Sequence, residues 1–212
     1  MSRIHYALAI VAAVLGLAAG AADGRSTVDV TQLAAEIDAE RDHIEAPELA
    51  ERIMRQDPSL RVIDLRTRAE FDALHIPTAT MATLDELARA TFPPDASIVV
   101  YSEGGTHSAQ AWMLLRLRGH RDVRFLREGI YEWLSRVMEP RLAADATPAE
   151  RADFARAETQ SRFFGGLPRS SVPRADVPTG YWTDELGAGQ MAERAPAAST
   201  QQAVARIRRR GC

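Results

Sequence analysis

The sequence predicts an α/β domain, a parallel sheet with helices on both faces, over about residues 43 to 140. Three observations predict it. Short apolar runs of strand length occur at Arg61–Leu65, Ser97–Tyr101 and Asp122–Leu126. Stretches of helical period separate them. The middle run enters a Gly-containing loop, Ser102-Glu103-Gly104-Gly105-Thr106-His107, which a helical stretch follows at once. A strand, a short loop and a helix N-terminus form an anion cradle, because backbone N–H groups and the helix dipole converge there.

In chain order, Thr31 to Arg41 is expected to be helical, with Leu33, Ala34 and Ile37 on one face. Glu45-Ala46-Pro47 opens a second helix, proline suiting the first turn, and Leu49, Ile53 and Met54 follow at helical spacing. Thr67 to Leu74 is a short helix capped by Thr67 with Glu70 three residues on. Leu84 to Ala90 is another, stopped by Phe92-Pro93-Pro94-Asp95. The helix after the loop ends near Gly119, and Ile130 to Val137 is the next. Thr147-Pro148-Ala149-Glu150 is a capping box. It starts a helix to about Phe163, and residues 141–168 are expected to dock on the domain through Phe154, Ala157 and Phe164. From 169 to 212 Pro, Ser, Ala, Gly and Gln dominate, and the segment reads as a mostly disordered tail.

The N-terminus has the pattern of a secretory signal peptide. Arg3 precedes an apolar run from Ala7 to Ala19, and Ala19-Gly20-Ala21 fits a cleavage site. Residues 1–21 would leave, 22–42 would be a lead-in with a helix, and the mature chain would be periplasmic or secreted from a bacterium. Left uncut, the run would be an anchor, though it is shorter than the ~20 residues a spanning helix needs. After cleavage no membrane span is expected. Cys212 is the sole cysteine, which excludes an internal disulfide and a Cys-based metal cluster. There is no lysine for a Schiff base and no asparagine for N-glycosylation. The net charge of -3 gives no reason to expect nucleic acid. The five histidines lack metal-binding spacing, and neither a metal nor another cofactor is expected.

Four pieces in order carry a family resemblance. They are Asp64-x-Arg66-x-x-x-Glu70-Phe71, His75-Ile76-Pro77, the six-residue loop, and Leu126-Arg127-Glu128-Gly129-Ile130-x-x-Trp133. Together they resemble a rhodanese-like domain. The resemblance implies a mostly parallel five-stranded sheet flanked by helices, with the loop at the carboxyl end of a central strand. In active relatives a cysteine opens that loop, takes sulfane sulfur from thiosulfate or a similar donor as a persulfide, and passes it to an acceptor. The family thus points to a small oxyanion or sulfur compound as partner. The related phosphatases have one more loop residue. In this chain position 102 is Ser, position 103 is an acid, and position 107, often arginine, is His. Positions 74, 78 and 128, commonly glycine, are Leu, Thr and Glu.

Serine changes the chemistry. A thiolate with a pKa of about 8.5 or lower can store a second sulfur; a hydroxyl cannot. No confident catalytic residue remains. Candidate anion-binding residues are Ser102, Glu103, Gly104, Gly105, Thr106 and His107, with Asp64, Arg66 and Glu70 as one hydrogen-bonded supporting group. The expected role is a binding or scaffolding module or a small-anion sensor. The alternatives are sulfur transfer through another thiol, Cys212, or a weak hydrolase pairing Ser102 with His107. Glu103 reads as a solvated loop-tip charge. Tyr181-Trp182 in the tail is a candidate protein-partner motif.

Overall fold

The computed structural model describes residues 29–178. The leader expected at residues 1–21, the Tyr181–Trp182 pair and Cys212 lie outside them. Helix α1 (Val30–Asp38) starts at Asp29, whose carboxylate accepts from the Thr31 and Gln32 N–H groups. There follow β1 (His43–Ile44), α2 (Ala46–Met54), β2 (Leu60–Asp64), α3 (Arg68–Ala73), β3 (Thr80–Met81), α4 (Leu84–Arg89), β4 (Ser97–Tyr101) and α5 (Gly105–Leu117). Next come β5 (Val123–Leu126) and α6 (Gly129–Glu132), which widens into a π-helix over Trp133–Met138. The helix expected over 130–137 is therefore present but changes hydrogen-bond pitch midway. Thr67, Thr83 and Thr147 each close a capping box, with Glu70, Glu86 and Glu150 returning the bond.

Five strands form one parallel sheet in the order β1-β5-β4-β2-β3. β4 is buried along its whole length, as the central strand of a two-sided sheet must be. Its side chains alternate between two cores. Val99 and Tyr101 pack with Leu49, Ile53, Trp133 and Phe164 on one face. Ile98 and Val100 pack with Leu33, Leu87, Trp112 and Leu115 on the other. The period of two along a strand produces the three layers. Leu33 ties α1 into the second core, and Arg116 pairs with Glu36 across it at 2.7 Å. β1 and β3 are two residues each, too short for apolar alternation to announce them.

Beyond the sheet, β6 (Arg141–Ala143) leads to α7 (Pro148–Phe164). Phe164 is fully buried, its ring 4.9 Å from that of Trp133 in an edge-on contact. Burying such a ring contributes roughly 2–3 kcal/mol. Phe154 and Ala157, the other expected docks, stay half-exposed.

The disordered tail expected from 169 begins too early. Arg169–Val172 form β7, which pairs with β6, and a 3-10 turn spans Arg174–Asp176. Arg174 holds this segment down through Asp145 and Glu150, both at 2.9 Å. Backbone pairing and ion pairs need no apolar periodicity, which is why the polar sequence there read as unstructured.

Chain direction reverses at the centre of the sheet. From β2 the chain moves outward to β3, and from β4 it moves outward to β5 on the other side. The carboxyl ends of β2 and β4 therefore border the crevice where open α/β sheets place their ligands.

Candidate functional site

Two loops meet at that crevice, one after Asp64 of β2 and one after Tyr101 of β4. Leu65 N–H donates to the Tyr101 carbonyl at 2.9 Å, extending the pairing past the strand ends. Asp64 is wholly buried and the Arg66 side chain nearly so. The carboxylate takes both Arg66 Nε at 3.1 Å and Nη2 at 2.7 Å, and accepts the Arg66 backbone N–H at 2.9 Å. Nη2 also donates to the Leu74 carbonyl at 2.6 Å. This forked pair fixes the loop after β2 and uses up both charges, so Asp64 and Arg66 are structural supports.

The second loop is clamped from below. Ile130 N–H donates to the Ser102 carbonyl at 2.9 Å. Gly129 has φ +60, and a Cβ there would lie 2.2 Å from the Ser102 oxygen and 2.7 Å from that of Glu103. Only glycine permits this approach and this backbone. A Cβ on Gly105 would stand 2.8 Å from the Arg127 carbonyl oxygen, so the loop and the segment after β5 pack backbone to backbone.

Above the clamp the loop is open. Gly104 is the N-cap of α5 and supplies no side-chain cap. The first-turn N–H groups, those of Gly105, Thr106 and His107, therefore keep their donors and the positive end of a 13-residue helix. Ser108 turns its hydroxyl back to the Gly104 and Gly105 carbonyls at 3.0 and 3.1 Å, leaving those donors alone. Ser102 is 5% exposed, and among the described residues its hydroxyl has no hydrogen-bond partner.

His107 is exposed and makes no hydrogen bond to Ser102 among the described residues. The pairing that a Ser/His hydrolase requires is not formed. Glu103 is exposed at the loop tip, as expected of a solvated charge. The neighbouring Glu70 carboxyl first, and then burial, push the Glu103 pKa up, against Arg66 and His107. Glu70 goes the other way, held down first by the Thr67 hydroxyl and then by Glu103. Glu70 is thus not a member of the Asp64–Arg66 group, as the sequence reading had it. Its oxygen caps α3, accepting Thr67 N–H at 2.8 Å and the Thr67 hydroxyl. Tyr131 completes the rim. Burial and the charges of Glu103 and Glu70 raise its hydroxyl pKa. Sequence reasoning passed over Tyr131 because it fills a free position between Ile130 and Trp133.

Among the described residues no cluster of three or more His, Cys, Asp or Glu could hold a metal ion, and no helix is long and apolar enough to cross a membrane.

Residues 45–136 match the rhodanese-like domain family. No curated protein matches the sequence. Solved structures do. The rhodanese-like domain of an Anabaena protein is 27% identical, over 43% of this chain and 72% of that one, with a TM-score of 0.40. A rhodanese-like domain protein from Staphylococcus aureus is 22% identical over 43% and 90%, with a TM-score of 0.39. A human single-domain sulfurtransferase is 26% identical over 44% and 95%, also at 0.39.

Proposed function

We propose, from the premise that residues 45–136 are a rhodanese-like domain, that this domain has lost sulfur transfer and serves an exported protein as a small-anion binding module. One observation carries the proposal: a buried hydroxyl, Ser102, stands at the first loop position beside an uncapped helix N-terminus. Sulfur transfer needs a group that accepts sulfane sulfur as a persulfide and releases it, and oxygen does not do this. Loop amides and a helix dipole lower a pKa but do not change the element. Anion binding asks only for N–H donors and positive potential, which the loop retains. A Ser/His hydrolase is disfavoured by the missing hydrogen bond between Ser102 and His107.

The test is thiosulfate:cyanide sulfur transfer by the full chain, by Ser102→Cys and by Cys212→Ser. Wild type is expected to form no thiocyanate above the blank, and Ser102→Cys to gain turnover. Wild-type turnover that survives Cys212→Ser would overturn the proposal. A parallel titration, following the Gly104 and Gly105 amide resonances with thiosulfate, reads binding directly.

A further inference from the structure

We infer that the groove between α2 and α7 is the seat of this chain's own Tyr181–Trp182 pair, which closes over it from the C-terminal segment. The inference is independent of the anion-binding loop.

Positions 154, 157, 161 and 164 of α7 recur at helical spacing and share one face. At the C-terminal end of that face Ser161 and Phe164 are fully buried. The Ser161 hydroxyl donates to the Met138 carbonyl at 2.9 Å, and Gln160 Nε2 donates to the Pro47 carbonyl at 2.9 Å. This end of the helix is therefore fastened to the domain. Phe154 and Ala157 carry the same face toward the helix N-terminus, and there they stay half-exposed. Across from them α2 contributes Pro47 and Met54, half-buried as well. A groove of about 1200 Å³ lies between the two helices. Its apolar floor is drawn from two elements at once, which marks a surface made to be covered.

The chain itself leads into this groove. Val177 and Pro178, the last described residues, are part of its lining. Their approach is pinned. Arg174 pairs with Asp145 and with Glu150, both at 2.9 Å, and Arg141 Nη1 donates to the Asp176 carbonyl at 3.1 Å. Residues 179–212 follow, and Tyr181 and Trp182 are the only aromatics among them. Extended chain covers about 3.3–3.6 Å per residue, so the pair reaches roughly 10–14 Å beyond Pro178. Packed helix axes stand about 8–10 Å apart, so that reach carries both rings across the groove.

The chemistry of the pair suits the seat. A tyrosine or tryptophan buries about 150–250 Å² of ring and keeps a polar tip that needs an acceptor. The floor supplies the apolar surface. The rims supply acceptors in the exposed carboxylates Glu51 of α2 and Asp153 of α7. Tethering favours this occupant over a separate molecule. A link of a few residues sets a local concentration in the mM range, so a contact too weak to hold a free peptide is filled within one chain.

The test uses the full chain and needs no ligand. Nuclear Overhauser contacts are expected between the Trp182 ring and both the Met54 methyl and the Phe154 ring, unchanged on dilution. Trp182→Ser and Phe154→Ser are each expected to lower the urea midpoint. The double variant should fall no further than the larger single, because each change alone empties the seat. Trp182 lies outside the packed domain, so its substitution reads docking rather than failure to fold. Absence of these ring contacts in wild type overturns the inference. Contacts that fade on dilution overturn it too, by giving the groove to a second copy of the chain. Additive losses in the double variant, or no loss in Trp182→Ser, overturn it as well.

Discussion

Glu132→Gln should make this protein more stable at neutral pH and leave it unchanged in acid. Glu132 is 2% exposed, at the junction of α6 and the π-helix. One carboxyl oxygen accepts Ala46 N–H at 3.0 Å and Arg136 Nη1 at 2.9 Å. The other oxygen is buried without a hydrogen-bond partner, and the Glu45 carboxyl is its charged neighbour. Glu45 in turn is held by Arg136 and by Arg127 Nε at 3.0 Å. Burial first, and the neighbouring Glu45 charge, raise the Glu132 pKa from 4.5 to about 7, against Ala46 N–H and Arg136. At about 1.4 kcal/mol per pH unit that rise amounts to about 3 kcal/mol. The folded state holds the proton more tightly than the unfolded chain does. The stabilisation is complete below pH 4.5 and is lost as pH rises to about 7. Glu45, with its pKa lowered, acts in the opposite sense and below 4.5, so the windows do not overlap. Because the two carboxyls titrate as a pair, 3 kcal/mol is an upper figure for Glu132 alone.

Glutamine reproduces the protonated state, accepting from Ala46 and donating to Glu45. Urea unfolding followed by the fluorescence of buried Trp133 and Trp112, from pH 4.5 to 8, measures it. The difference between variant and wild type should open with pH by about 1–3 kcal/mol. Glu103 adds a slope of its own, but it is common to both proteins. A variant less stable than wild type at pH 7.5, or a difference constant across the window, would refute the reasoning.

Two further predictions concern stability. Asp64→Asn leaves the Arg66 guanidinium buried without its counter-charge and should cost about 3–5 kcal/mol. A drop in the urea midpoint measures it, and a loss under 1 kcal/mol would show that the pair does not hold the loop after β2. Thr78 has φ +72, a backbone that a β-branched residue adopts only at a cost, and it is exposed. Thr78→Gly should raise stability by about 1 kcal/mol in the same assay; no gain would mean the threonine makes compensating contacts.

Position 78 also shows what can be read from residues alone. Related domains commonly carry glycine there and at 74 and 128, and all three departures were visible in the sequence. Only the backbone separates them: Leu74 is extended at φ -160, Glu128 sits at φ -113, and Thr78 alone is left-handed. β2, β4 and β5, the helices and the three capping boxes were legible because each is written in contiguous residues. β1, β3, β6 and β7 were not, being two to four residues long and held by partners distant in the chain.

Ser102 could be known from the sequence, and with it the hydroxyl at the first loop position, because chemical identity needs no coordinates. The loop's two flanking elements were equally readable, since hydrophobic period and length are local properties. The meetings of Glu103 with Glu70 and of Glu132 with Glu45 belong to the tertiary structure. Each joins like charges from separate elements, which no pattern of periodicity or composition encodes. The surrounding packing brings them together and raises the pKa of one carboxyl in each pair.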